Sequence, residues 1–210
     1  CTTDGICLAG VVGLFLGGLD DASEISDNHT AIFRLSDDHG SNWHGCENGG
    51  GVAEGCADDG LGYYFIPDSV WDEIKATFAA SSPVDDTCDG TSYVLDDFWT
   101  GYELDFKVDA NGNPHYLIQV YACESVEGFC FSVPESGLYH FTANRDDLGT
   151  AGAWSWSYVM SGEYTWGYDD NSATSYFYNN SSSLAFSTDD DQIIYVVTGM
   201  GQPGEPDPNA

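Results

Sequence analysis

The residues best equipped for chemistry in this chain are its seven cysteines, Cys1, Cys7, Cys46, Cys56, Cys88, Cys123 and Cys130. None of them forms a CxxC or CxxCH motif, which argues against a zinc ribbon, a thioredoxin-type redox site and covalently attached haem. Cys46 and Cys56 bracket a glycine-rich loop, and Cys123 and Cys130 bracket "ESVEGF", which reads as the tip of a hairpin. Both spacings suit short disulfide-closed loops, each stabilising by about 2–3 kcal/mol on chain-entropy grounds. Cys7 and Cys88 then pair by elimination, and Cys1 is left over. Paired cysteines place the chain in an oxidising compartment, extracellular or at the cell surface.

Oxygen ligands come next. Aspartate doublets recur beside Gly, Ser or Asn, where loops are expected, and a triplet occupies 189–191. Hard carboxylate oxygens on loops are what Ca²⁺ takes, so Asp37, Asp38, Asp189, Asp190 and Asp191 are candidate ligands and calcium the one candidate cofactor, although no EF-hand pattern is complete. His39 and His44, near Asp37, Asp38 and Glu47, match no standard zinc spacing. His29, His115 and His140 stand singly. No G-x-S-x-G elbow, H-E-x-x-H helix or P-loop is present, and 35 acidic residues single out no catalytic pair. The chain reads as non-enzymatic. Asn28, Asn179 and Asn180 head N-glycosylation sequons.

A third group is aromatic. In "AWSWSYVMSGEYTWGYDD", Trp154, Trp156 and Tyr158 alternate with serines, and Tyr164, Trp166 and Tyr168 follow after a turn. A three-residue loop at 161–163 would put all six on one face. Sugar rings stack on such a face, so it is a candidate glycan platform. Burying six rings of 150–250 Å² each is worth on the order of 20–30 kcal/mol gross, which favours a core or subunit-interface role for the same residues.

These groups sit on a chain of 210 residues with four basic residues and a formal charge of −31. Nucleic acid is excluded as a partner, because no basic footprint exists to neutralise phosphates. Anionic membrane surfaces would repel the chain as well. The acid excess suits a solvated surface in high salt, a set of Ca²⁺ sites, or a solubility coat. Hydrophobic residues at 42% and aromatics at 14% are enough for an ordered core.

The elements that must position these groups are mostly strands. Residues 8–19 are too few to span a bilayer as a helix and too rich in glycine to favour one, so they read as an apolar strand buried on both faces. Strands follow at 30–35 and 62–67, separated by a long acidic loop region. The one convincing helix covers about 68–80, with Asp68 or Ser69 at its start and Val70, Ile74 and Phe78 on one face beside Trp71. From residue 92 the period becomes two: Tyr102, Leu104, Phe106 and Val108 alternate with Glu103, Asp105 and Lys107. Asn111-Gly112 turns the chain into the next strand. Strands continue through "GLYHFTA", the aromatic hairpin, "SLAFS" and "QIIYVVTG". This pattern predicts a mostly β chain, an antiparallel β-sandwich or jelly roll with one short helix and long acidic loops. The expected division is an N-terminal apolar attachment segment at 1–19, a disulfide-closed, loop-rich region with the helix at 20–91, an antiparallel sandwich at 92–200 and a proline-rich tail at 201–210.

Two resemblances are visible. Pro134, Gly137-Leu138-Tyr139 and Phe141 resemble the G-x-Y-x-F strand of C1q/TNF-like and other secreted jelly-roll modules, which implies a trimer-forming or ligand-binding jelly roll without catalytic residues. Cys1 as first residue resembles the N-terminus of a mature bacterial lipoprotein, which implies lipid attachment there and membrane contact only through that lipid. The alternative use of Cys1 is an intermolecular disulfide. Leu8, Val11, Val12, Leu14, Phe15 and Leu16 lie in an acid-free apolar segment that could complete a neighbour's sheet, which repeats head-to-tail into a filament or appendage. The expected function is a non-enzymatic, self-associating extracytoplasmic structural protein. The alternative is a lipid-anchored glycan-binding module.

Overall fold

The structure is a computed structural model that describes residues 1–14, 29–46, 55–57, 62–79, 84–85, 92–93, 97–125, 128–130, 136–150, 152–161, 182–187 and 193–198. In chain order the elements are β1 (Cys7–Leu14), β2 (His29–Ser36), β3 (Cys56–Ala57), β4 (Tyr63–Phe65), α1 (Asp68–Ala79), β5 (Val84–Asp85), β6 (Ser92–Tyr93), β7 (Asp97–Val108), β8 (Pro114–Ser125), β9 (Gly128–Cys130), β10 (Gly137–Ala143), β11 (Trp154–Ser161), β12 (Ser183–Phe186) and β13 (Ile194–Val197). Among the described residues the fold is mostly β with one short α-helix and a 3₁₀ turn at Arg145–Asp147, and the strand pairs are antiparallel.

Three of the four sheets among the described residues form the body, the fourth being the separate β5–β6 pair. The first has the order β1-β2-β4-β3, the second β11-β10-β8-β7 with β9 beside β8, and the third is the β12-β13 pair. The second sheet lies in the middle, because its strands are apolar at both parities. Tyr116, Ile118 and Val120 of β8 and Tyr139, Phe141 and Ala143 of β10 join Ala31, Phe33 and Leu35 of β2 in the main core. The alternate residues Leu117 and Leu138 pack instead against Leu184 of β12, with Ile194 and Val196 of β13 beside them. Side chains one residue apart point to opposite faces, so β8 is covered on both sides.

Helix α1 follows from its apolar spacing. Val70, Trp71 and Ile74 are buried and belong to the main core, and Phe78 packs against it. Trp71 meets Phe141 with ring centroids 5.2 Å apart. The β7–β8 hairpin turns through five residues. Asp109 Oδ1 accepts from the amides of Asn111 (2.9 Å) and Asn113 (2.8 Å), and its Oδ2 accepts from Asn113 Nδ2. Gly112 alone of the Asn111-Gly112 pair takes positive φ, at 84°.

Several expectations need correction. The N-terminal strand is not buried on both faces: among the described residues β1 pairs only with β2, at the edge of its sheet, and Val11 is 61% exposed. An edge strand laid over one sheet has only one face to bury. Ala31, Phe33, Leu35, Ile66, Val70, Trp71 and Ile74 share one hydrophobic cluster with Phe98, Tyr116, Ile118, Phe141 and Trp154. The region expected to be loop between 36 and 62 contains β3, held against β4. The cysteine partition also differs. Cys7 is bonded to Cys1, not to Cys88, and Cys46 is bonded to Cys56. The physical reason is local: the Thr2 and Gly5 amides donate to the Ile6 and Thr2 carbonyls, folding the first six residues back on themselves. Cys88 lies outside the described residues, as do the side chains of Cys123 and Cys130, although β8 and β9 form the hairpin expected around "ESVEGF".

Candidate functional site

The N-terminal strand and what lies on its outer face form the most distinctive surface. Along β1, Leu8 packs on the main core, and a side chain at Gly10 would run into Phe33, so this parity faces inward. Ala9 and Val11 face outward, opposite Arg34 and Ile32 of β2. With Tyr63 of β4 and Trp43 they line an open groove of about 380 Å³. Arg34 is fixed in it: its Nε donates to the Gly62 carbonyl at 3.1 Å, and its guanidinium lies 4.6 Å over the Tyr63 ring. Trp43 is 39% exposed. Of the other residues expected in the assembly strand, Val12 is half-buried, the Leu14 side chain is outside the description, and so are Phe15 and Leu16.

The loop after β2 supports this face. Asp38 Oδ1 accepts from Ser36 Oγ and the Asn42 amide, both at 2.8 Å, and Oδ2 accepts from Asn42 Nδ2. These donors, the Asn42 amide foremost, bring the Asp38 carboxyl down to about 2. Its oxygens therefore serve the turn that carries His39, Gly40 and Trp43. His39, at φ 60°, lays its ring on Gly5 and donates its amide to the Gly5 carbonyl, which ties the N-terminal disulfide loop to the turn. Asp37 lies 3.8 Å from His44 Nε2. Among the described residues no three His, Cys, Asp or Glu side chains converge on a point that could hold a metal. Glu47 and Asp189, Asp190 and Asp191 fall outside those residues.

The aromatic row divides. Trp154 is 7% exposed and sits within the core, 5.8 Å from Phe33, which removes it from any surface platform. Trp156 packs on Tyr139. Tyr158, 37% exposed, covers Tyr139 and meets Phe78 of α1 at 5.8 Å. Of the three, Tyr158 is the one that meets the helix. Tyr164, Trp166 and Tyr168 and the sequon residues Asn28, Asn179 and Asn180 lie outside the description.

One cluster was not anticipated, because its histidines stand 25 residues apart and read as single. The β8–β10 register puts His115 opposite Thr142, two residues from His140 on the same face. His115 Nδ1 and His140 Nε2 are 2.9 Å apart, so one ring donates and the other accepts. His115 Nε2 lies 3.6 Å from Asp109 Oδ2 and 3.3 Å from Thr142 Oγ1, and Phe186 of β12 closes over the His115 ring. Burial, with the neighbouring His115 adding to it, lowers His140 to about 4; burial also lowers His115, against the opposing pull of Asp109. Two histidines on separate strands leave no mark in spacing; only the pairing register joins them.

The fold and its bonds define a disulfide-bonded antiparallel β-sandwich with a single short helix. Comparisons with protein-family models, curated proteins and solved structures gave no match. The disulfides are compatible with an oxidising compartment. Among the described residues no helix is long and apolar enough to cross a membrane.

Proposed function

We propose that this chain is a non-enzymatic structural subunit of the cell surface or extracellular space that self-associates through its N-terminal strand β1. The observation that carries the proposal is that β1 is, among the described residues, an edge strand free of acidic side chains, with Val11 61% exposed, in a chain of net charge −31. Edge strands that must stay solitary are commonly protected by charges, prolines or bulges. β1 carries no charge and no proline, and it pairs with β2 without a register shift. The Cys1–Cys7 bond and the Gly5–His39 contact anchor its start. A lipid or an intermolecular disulfide on Cys1 would require that bond to open.

Deleting residues 1–19 tests the reading. The truncated chain is expected to lose concentration-dependent assembly in sedimentation velocity, with circular dichroism monitoring the remaining fold. A peptide of residues 6–19 added in excess should slow assembly of the full chain by capping it. A truncated protein that folds and assembles as the full chain does would sink the proposal.

A further inference from the structure

The side of the central sheet turned away from the main core is apolar at Leu117 and Leu138 and polar next to them. Register sets His115 opposite Thr142 and His140 opposite Leu117, so both histidines lie on the Leu117 side. The β12–β13 pair covers this side. Leu184 of β12 is wholly buried against Leu117 and Leu138, and the Phe186 ring stands edge-on to His115 with centroids 4.9 Å apart.

This cover is attached by side chains. Among the described residues β12 and β13 form a two-stranded sheet of their own, with no ladder to the central sheet. One carboxylate supplies a polar tie: Asp105 Oδ2 of β7 accepts from the Leu184 amide at 2.7 Å and from Ser183 Oγ at 3.1 Å. The main core lies on the opposite side of β8 and β10, built from Phe33, Trp71, Tyr116 and Phe141 among others, and contains no residue of β12 or β13. Lifting the cover therefore leaves that core in place.

Beneath the cover sits the histidine pair. Its 2.9 Å contact between His115 Nδ1 and His140 Nε2 needs one N–H and one lone pair. A first added proton places a charge beside Phe186, offset in part by Asp109, 3.6 Å from His115 Nε2. A second leaves two N–H groups of like charge facing each other with no acceptor between them. On β7, Lys107 stands opposite His115 and is engaged by Asp105. On β11, Ser155 and Ser157 stand opposite Thr142 and His140 and bring no charge. The one ionisable side chain of β12 and β13 is Tyr195, which is exposed. Burial opposes protonation of both rings, and opening the cover to water relieves that opposition.

We propose that β12–β13 is an acid-released cover: proton uptake by the His115–His140 pair lifts it from the central sheet and bares Leu117 and Leu138 while the main core stays folded. Acid thus shifts a local opening equilibrium by its preference for the open form. The proposal is independent of assembly through β1.

Hydrogen exchange of the full chain, read by mass spectrometry and corrected for the intrinsic effect of pH, tests it between about pH 6.5 and 4.5. Protection at 183–186 is expected to fall on the order of tenfold or more, because His140 titrates at about 4 under the cover and at its ordinary value without it. Protection at 31–35, in the main core, is expected to hold. His140→Gln should remove most of the fall, and His140→Phe replaces it if near-UV circular dichroism shows the first variant unfolded. Asp105→Asn keeps an acceptor for the Leu184 amide and should retain the fall. Constant protection at 183–186, or equal losses in both segments, overturns the cover. A fall that survives the His140 substitution, or that Asp105→Asn abolishes, overturns the histidine pair as its trigger.

Discussion

Buried polar side chains set the behaviour of individual residues here. His115 and His140 lie 2.9 Å apart, with Asp109 on one side, Thr142 of β10 beside it and Phe186 above. Lys107 is the strand partner of His115 on β7, and Asp105, two residues before it, engages it. Both histidines bind a proton less readily when folded than in the unfolded chain. Between about 4, the folded value of His140, and the ordinary 6.5, the unfolded chain holds more protons, so stability rises with pH across that window and falls as acid is added. The urea midpoint should climb from pH 4 to 6.5, and His140→Phe should flatten that climb. An equally steep climb in the variant would place the pH dependence elsewhere. Tyr116 offers a second residue-level test. Its hydroxyl is buried without a hydrogen-bond partner, and burial raises its ionisation far above the usual tyrosine value. Tyr116→Phe removes a polar atom that gains nothing in the fold, and is expected to leave stability unchanged or raise it by about 1 kcal/mol.

At the scale of elements, α1 is joined to the sheets mainly by three side chains of low exposure, and Ile74 is wholly buried among them. Ile74→Ala should cost about 2–5 kcal/mol in chemical denaturation, since the surrounding sheets relax little around a deleted side chain. The β7–β8 hairpin depends on one carboxylate that accepts from two backbone amides and one side-chain amide. Asp109→Ala leaves those donors without their acceptor and also removes the charge facing His115. A loss on the order of 2 kcal/mol is expected, with the His115 titration moving further down. Much at this scale was legible beforehand: the helix at 68–80, the hairpin at Asn111-Gly112 and the strand "GLYHFTA" all rest on local periodicity and turn chemistry. β3 was missed because two residues show no period of their own and gain strand geometry only by pairing with β4.

For the whole molecule, the charge of −31 sets the conditions under which copies can meet. Added salt shortens the range of that repulsion, from a Debye length of about 30 Å at 0.01 M to about 3 Å at 1 M, while it leaves apolar contact intact. Assembly through β1 should therefore strengthen as salt rises, the reverse of what an ion-paired interface would show. Sedimentation at low and high ionic strength distinguishes the two, and a self-association that weakens with salt would contradict an apolar contact.

Composition and local pattern by themselves determined that this is an acidic, disulfide-bearing, mostly β chain with one helix. Those properties arise within a few residues, from alternation, turn residues and cysteine spacing, as at Cys46 and Cys56. Tertiary structure decided the rest. It placed β1 at a sheet edge with one face open, bonded Cys7 to Cys1, and put Trp154 in the core instead of on a platform. It also brought His115 to His140 through strand register. Each of these depends on which distant segment lies alongside, and a strand's own residues specify that it has two faces but not what will cover either one.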